Sequence, residues 1–268
     1  MANLRVVYNN VANQSNGLSA STTAGTLTVA NLLTEVKTEV WRSTGTSATL
    51  TLTWASAATF NAAVLAFSNL SSTATMQVAV YAAVGDASPF YTSAATLCCP
   101  TNFGIAAPVG FGGGVYASLW FPAKTGSKLV ITITDSSNAN GYIQAGRLIV
   151  GNYWSPERNA ESDSVKITMQ DDSKNSRSES GSLWTDRGPM YKKLSFDLTY
   201  MTAADRNSMW RIIAGNGVSN SVFVSVMPES TDSSEEQIHS IYGRIASSSS
   251  LQYRYLHLHA TQLQLEEI

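Results

Sequence analysis

The sequence predicts an all-β protein, and three observations predict it. Charged residues make up 13% of the 268 positions, about half of the usual ~25%, and Ser, Thr, Ala and Asn stand in their place. Apolar residues alternate with Thr or Ser in several windows, the period of a half-buried strand. Only one window places apolar residues at helical spacing behind a capping signal.

Taken in order, the polar residues 1–28 hold a short first strand at Leu4–Tyr8. Asn31-Leu32-Leu33 through Trp41-Arg42 packs as a loop on the first sheet. Ala48–Trp54 alternates Leu50, Leu52 and Trp54 with Thr49, Thr51 and Thr53. Phe60–Phe67 and Met76–Tyr81 are more continuously apolar, which predicts central strands. Tyr91–Cys98 follows a loop at Pro89. Gly112-Gly113-Gly114 leads into Val115–Phe121, which Pro122 is expected to end. Lys128–Thr134 and Tyr142–Val150 complete a run of about eight strands with no helix, a β-sandwich pattern.

A change of composition marks a second domain. Residues 1–150 hold 6 Lys/Arg and 4 Asp/Glu, whereas 151–268 hold 11 and 15. The expected domains are 1–150 and 151–268, with the boundary near Gly151–Pro156. Residues 155–188 are the most polar stretch and read as a long exposed hairpin or arm, with a disordered linker as the other reading. Trp184 and Tyr191 flank its end and favour docking.

The second domain centres on Gly188–Pro228. Leu194, Phe196, Leu198 and Tyr200 alternate with Lys193, Ser195, Asp197 and Thr199. Thr202 with Asp205 three positions on forms an N-terminal cap. Met209, Trp210, Ile212 and Ile213 form one helical stripe, and Gly215 and Gly217 stop the helix. Val222, Val224 and Val226 return as a strand closed by Pro228. Ile238–Ile245 and a long Leu251–Leu265 are the last two strands, and Ser247–Ser250 a turn.

Several function classes find little support. The net charge of -2 gives no attraction for nucleic acid or anionic membrane. Neither a signal peptide nor an apolar run of ~18 residues is visible. Cys98 and Cys99 are adjacent, which argues against a disulfide framework. His257 and His259 share a strand face, as metal ligands do, but matching ligands are missing, so sheet histidines are the better reading. Asp135–Gly141 has calcium-type oxygens without the EF-hand order and reads as a turn. Gly110–Gly114 lacks the strand, helix and Lys-Ser/Thr of a phosphate loop. No Gly-x-Ser-x-Gly elbow occurs. Catalytic residues, cofactor and metal are therefore all read as none. Trp41, Trp54, Phe90, Tyr91, Phe103, Phe111 and Trp120 are read mostly as core, with a sugar-stacking platform as the alternative.

Two resemblances follow from these residues. Ala30-Asn31-Leu32-Leu33-Thr34-Glu35-Val36 leading to Val40-Trp41-Arg42-Ser43, then Thr51-Leu52 and Asn61–Asn69, resembles the galactose-binding-like, discoidin-type jelly-roll modules of tailed-phage structural proteins. It covers roughly residues 25–150. The order of arm, strand Leu194–Tyr200, helix 203–214, glycine turn, strand 221–227 and final strand resembles distal tail proteins and the lambda-type minor tail protein M family. That second resemblance implies a split β-barrel with one short helix, whose copies close into a ring, expected to be a hexamer. It implies a virion protein made in the host cytoplasm, at the tail tip or baseplate beneath the tail tube, with neighbouring tail proteins as partners. The alternative is a receptor- or carbohydrate-binding module of a phage tail, with a glycan as partner. The expected subunit contact is the arm, through Asp171, Asp172, Lys174, Arg177, Trp184 and Arg187.

Overall fold

The computed structural model describes residues 2–98, 114–230, 232–246, 249–255 and 258–268. The chain begins with β1 (Arg5–Val7), β2 (Gly17–Ala20), β3 (Trp41–Arg42), β4 (Ser47–Ser68) and β5 (Thr75–Tyr81). It continues through β6 (Tyr91–Thr92), β7 (Thr96–Leu97), β8 (Val115–Thr134), β9 (Gln144–Ala145), β10 (Arg147–Gly151) and β11 (Tyr153–Trp154). Next come β12 (Lys166–Asp171), β13 (Lys174–Arg177), β14 (Leu183–Asp186), β15 (Met190–Met201) and helix α1 (Ala203–Asn216). The last elements are β16 (Ser221–Ser225), α2 (Ser233–Ile238), β17 (Ser240–Ile245), β18 (Gln252–Tyr255) and β19 (Leu258–Glu267). The protein is all-β, as its composition predicts.

The first lobe is built on two long strands that each serve both layers of a sandwich. Ala48–Trp54 and Phe60–Phe67, expected as separate strands, are one strand, β4. Val115–Phe121 and Lys128–Thr134 likewise run together as β8. The β4–β8 ladder shifts register between Thr53 and Ala58 and again between Phe60 and Ala62, opposite Trp120 to Lys124. Pro122 lies in that irregular part, where no ladder donor is required, so it bends the strand instead of ending it. One layer joins β2, the first half of β4, the second half of β8 and β5; the other joins β10, the second half of β4 and the first half of β8. Leu50, Leu52, Phe60, Leu65, Val78, Leu119, Ile131 and Leu148 fill the space between. The expected loop at 31–42 packs Leu32 and Trp41 into that core through a 3₁₀ turn at Val29–Leu33. Tyr91–Cys98, expected as one strand, is reduced to β6 and β7.

The second lobe is one twisted sheet in the order β11-β1-β16-β17-β19-β15-β12, with β18 on β19. Its outer strands β11 and β12 do not pair with each other, so the split barrel implied by the resemblance is an open sheet. The strand at Leu4–Tyr8 sits here and not in the sandwich that follows it in sequence: Val6 pairs with Val224 on one side and Trp154 on the other. Three residues carry too little pattern to choose a sheet. What anchors β1 is Arg5, whose guanidinium lies 4.8 and 4.7 Å from the ring centroids of Trp120 and Tyr153 and whose Nη2 donates to Glu229 at 2.7 Å.

Helix α1 covers one face of this sheet. Thr202 Oγ1 accepts from the Asp205 amide and the Asp205 carboxylate accepts from the Thr202 amide, closing the capping box. Met209 and Ile212 are buried against Leu194, Phe196, Leu198, Val222 and Val224, with Ile213 at the margin. Trp210 departs from the expected stripe and is 59% exposed, because 209, 212 and 213 lie on one face and 210 is 100° away from 209. Gly215 stays inside the helix, and Gly217, at φ +52°, is the residue that leaves it. Tyr200 also points outward: a register shift between Leu198 and Met201 brings Met201 to the core in its place. α2 precedes β17, capped by Asp232, and the expected final strand is the antiparallel pair β18–β19.

The other face of the second sheet lies on the sandwich. Val7, Phe223 and Tyr242 from the second lobe meet Ala62, Val64, Ala66, Phe67, Tyr116 and Ile149 from the first. The second half of β4 is thus covered on both sides, which explains its unbroken apolar run. Polar clamps border this contact. Arg147 Nε donates to the Tyr242 hydroxyl at 3.0 Å, and Arg147 Nη2 to Asn13 Oδ1 at 2.9 Å. Arg244 Nη2 donates to Glu35 Oε2 at 2.8 Å. Burial pushes the Glu35 carboxyl up, but Arg244, Ser221, Tyr242 and Arg147 together hold it below its usual value. At a second clamp, Lys37 Nζ donates to Glu267 Oε2 at 3.1 Å and the Tyr116 hydroxyl to the other carboxylate oxygen. Beside them Lys192 Nζ donates to the carbonyls of Gln237, Ile238 and Ser240 at 3.1, 3.1 and 2.9 Å.

Two predictions follow from this packing. Phe223→Ala should cost about 3–5 kcal/mol and lower the melting point of the whole molecule in one transition, whereas Trp210→Ala should stay within about 0.5 kcal/mol. Two separate calorimetric transitions, only one of them shifted, would show that the lobes unfold independently. The second concerns pH. Burial lowers Lys192 to about 8, with Glu267 opposing and Lys37 assisting, while the unfolded side chain titrates near 10.4. Between these values the unfolded chain binds more protons, so stability should rise with pH across that window. Urea unfolding of wild type and Lys192→Met at pH 7.5 and 9.5 should show the difference moving in favour of wild type. A flat difference would mean that the three carbonyls hold the ammonium as strongly as water does.

Candidate functional site: the β-ribbon

The arm is an ordered ribbon that grows out of the second sheet. β12 and β15 pair from Lys166↔Ser195 to Asp171↔Met190, and β13 and β14 continue outward as a separate two-stranded ladder, Lys174↔Asp186 to Arg177↔Leu183. The two ladders join at a tight crossing. The Gly188 amide donates to Ser173 Oγ at 3.0 Å, and a Cβ on Gly188 would lie 2.6 Å from the Asp172 carbonyl carbon and oxygen. Gly188 therefore permits close packing at the base of the ribbon. At the tip, Gly181 adopts φ +82°, and Arg177 Nη1 donates to the Gly181 carbonyl at 2.9 Å.

All six residues expected at the subunit contact fall on this ribbon or its base. Asp171 ends β12 and accepts from the Ser173 amide at 2.9 Å; the Ser173 hydroxyl and amide hold its carboxyl below the usual range. Asp172 accepts from Gln170 Nε2 at 3.1 Å. Lys174 stands opposite Asp186, and Trp184 opposite Ser176. Directly opposed residues share a face, so Lys174, Ser176, Trp184 and Asp186 line one face, and Asn175, Arg177, Leu183 and Thr185 the other. Arg187 follows β14. Every residue of β13 and β14 is exposed.

Beyond Trp184, the exposed apolar side chains Leu183, Met169 and Met190 are what sequence reasoning left out. Trp184 is 67% and Leu183 58% exposed, on opposite faces, and Met169 and Met190 are exposed nearer the base. A signal for them existed. Leu183 and Trp184 sit in a segment with neither strand alternation over a core nor helical spacing, so nothing in the chain itself calls for their burial.

The other expected sites divide differently. Asp135 is fully buried and accepts from the Ser71 amide at 2.8 Å and from Asn138 Nδ2 at 3.0 Å, tying two turns together. His259 is buried, its Nε2 is 3.3 Å from Arg206 Nη1, and its ring meets Tyr253 edge to face at 4.5 Å. Among the described residues no group of three or more His, Cys, Asp or Glu side chains is placed to hold a metal. Cys99, Phe103, Gly110–Gly113, Phe111, Ser247, Ser248 and His257 lie outside the described residues, whereas Cys98 is buried in the sandwich core. Of the aromatics weighed as a sugar platform, Trp41 and Trp54 are buried in the sandwich core, and Trp120 packs edge-on against Tyr153 between the lobes. Phe90 is 53% exposed. No described helix is long and apolar enough to cross a membrane.

Neither a protein-family model nor a curated protein matches the sequence. Among solved structures, chitosan-binding module 1 of a chitosanase/glucanase from Paenibacillus sp. IK-5 is 18% identical; the match covers 53% of this chain and 98% of that one, with a TM-score of 0.40. The family 32 carbohydrate-binding module of Clostridium perfringens NanJ, solved with galactose, is 11% identical over 56% of this chain and 99% of that one, with a TM-score of 0.39. The lectin domain of lectinolysin with Lewis B antigen is 13% identical over 54% and 96%, at 0.37. Scores this low leave the ligand and the chemistry of this chain to its own residues.

A stability prediction isolates the ribbon. Joining Ser173 to Arg187 by removing 174–186 should leave the melting point within 2 °C or so, since exposed surface contributes little. A loss of several degrees would mean that the ribbon folds back on the lobes.

Proposed function

We propose that the protein is a non-catalytic assembly component of a tailed-bacteriophage virion, whose copies join one another through the ribbon at residues 174–186. The observation that carries this is a two-stranded ladder with no core of its own and an exposed apolar residue on each face. A free two-stranded ribbon is marginal in water, and ordering it costs conformational entropy that its own contacts do not offset. A partner that covers both faces supplies the missing burial. Trp184 is the anchor of such a contact, a rigid aromatic of the type that dominates interface energies; Lys174, Asp186 and Arg177 set its register. In a closed ring the same joint repeats around the axis, so a single weak contact becomes a cooperative one. The phage-tail setting rests on the sequence resemblance, and the low charge of the chain suits a surface largely covered by other copies.

Analytical ultracentrifugation and electron microscopy of the purified chain test this reading. Wild type should form closed rings, and both the 174–186 deletion and Trp184→Ala should remain monomeric, with unchanged circular dichroism. Rings formed by the deletion protein would place closure elsewhere.

A second reading, glycan binding by the sandwich lobe, is favoured by Phe90. Its exposed ring precedes β6, whose Tyr91 stacks on Phe121 and carries the Lys124 ammonium 4.5 Å above its own ring. An exposed aromatic face beside charge accepts the apolar face of a sugar. Phe90→Ala should then abolish retention of the full chain on a glycan array; retention unchanged by that substitution excludes this face as the site.

A further inference from the structure

The second lobe holds a polar cleft on the side of its sheet away from α1, and two buried oxygens in it have no partner. The cleft runs over β12, β15, β18 and β19, and Asp197 and Gln262, directly opposite each other in the ladder, line both of its halves. Thr199 is 3% exposed, and its Oγ1 meets no hydrogen-bonding group. Asp197 Oδ1 is also shielded and without a partner. Groups of this kind are costly to leave unpaired. Their placement is local: Asp197 and Thr199, two apart on β15, face the same side, and the loop at 160–165 is pinned over the strand, with the Asp197 amide donating to Ser164 Oγ at 2.9 Å and the Glu161 amide to the Asp197 carbonyl at 3.1 Å.

The rim supplies the complementary chemistry. Gln262 and Gln252 present exposed amides, and Lys166 an ammonium at the far end. The cleft therefore offers a carboxylate acceptor and a two-way hydroxyl at its floor, and donors at its rim. A metal ion would meet amide N–H groups and an ammonium in the walls. A phosphate would meet the carboxylates of Asp197, Glu161 and Asp163. A polyhydroxylated neutral molecule satisfies all of them, because each hydroxyl both donates and accepts. We propose that this cleft is a saccharide-binding site, with one sugar hydroxyl donating to Asp197 Oδ1 and bonding Thr199 Oγ1, and a neighbouring hydroxyl accepting from Gln262.

The site is independent of Phe90, which lies on the other lobe, and of the ribbon, so its failure is separable from theirs. Thr199→Val keeps the shape of the side chain and removes the orphaned hydroxyl, which gives the proposal an unusual signature: the melting point should hold or rise while binding falls. The probes are galactose, mannose, rhamnose and N-acetylglucosamine, each titrated into the full-length chain by saturation-transfer NMR. At least one should bind saturably, and Thr199→Val and Asp197→Asn should each weaken it tenfold or more, with Trp210→Ala, on the exposed side of α1, unchanged. If none of the four binds, if binding survives both cleft substitutions, or if only Phe90→Ala removes it, the proposal is wrong. A calcium-dependent rise in melting point, present in wild type and lost in Asp197→Asn, would make the cleft a cation site and overturn it as well.

Discussion

Everything in this molecule is built around one layer buried on both faces. The second half of β4, with β10 and the first half of β8, has the sandwich core on one side and Phe223, Tyr242 and Val7 on the other. Such a layer admits almost no polar side chain, and it must be thin on the side where a second sheet approaches. Ala62 and Ala66 meet that need in the strand, while Leu65 and Ala63 point into the sandwich. Sheet, sheet, sheet and helix then stack in sequence, and the polar clamps at Arg147 and Glu267 fix how the outer pair is oriented. Burying an arginine requires a full set of acceptors, and Arg147 finds them on both lobes at once, in Asn13 and Thr34 on one and Tyr242 on the other.

Much of this was legible in the sequence wherever one residue pattern had one physical meaning. Alternation at 48–54 and 128–134 marked strands, and Thr202 with Asp205 marked a helix start, because a capping box works through local bonds alone. The unbroken run Phe60–Phe67 correctly signalled a central strand. What it did not reveal was what covered its second face, since a continuous apolar run reads the same whether its cover is a helix, a loop or a sheet. Pro122 misled for a related reason: proline forbids a ladder donor, but a bulge removes the requirement for one. The β1 strand was recognised as a strand and given to the wrong sheet, because Arg5–Val7 contains nothing that names a partner more than two hundred residues away.

The ribbon shows the opposite case. Its polarity argued for exposure, and the structure shows an ordered ladder that is exposed throughout, Trp184 included. Gly188 is a contact, since only the absence of a side chain lets the two ladders cross so closely. The cleft at Asp197 and Thr199 was not legible at all. Alternation puts Asp197 and Thr199 on one face, but the loop at 160–165 and β18 that enclose them come from elsewhere in the chain, and the sequence Asp-Leu-Thr-Tyr reads as plain strand.

The position of β1 has a consequence for how the protein is made. The second sheet contains β1, and β1 lies between β11 and β16, so it stays without its neighbours until roughly two hundred further residues exist. Contacts between residues so distant in sequence form slowly. The sandwich, whose strands lie between them, is able to close first and to offer Tyr153 and Trp120 as a seat for Arg5. A chain cut short before Ser221 would leave β1 an open edge with no strand on one side. The fold thereby couples the Arg5–Val7 segment to synthesis of Ser221–Ser225, so loss of the later strand is felt at the earlier one.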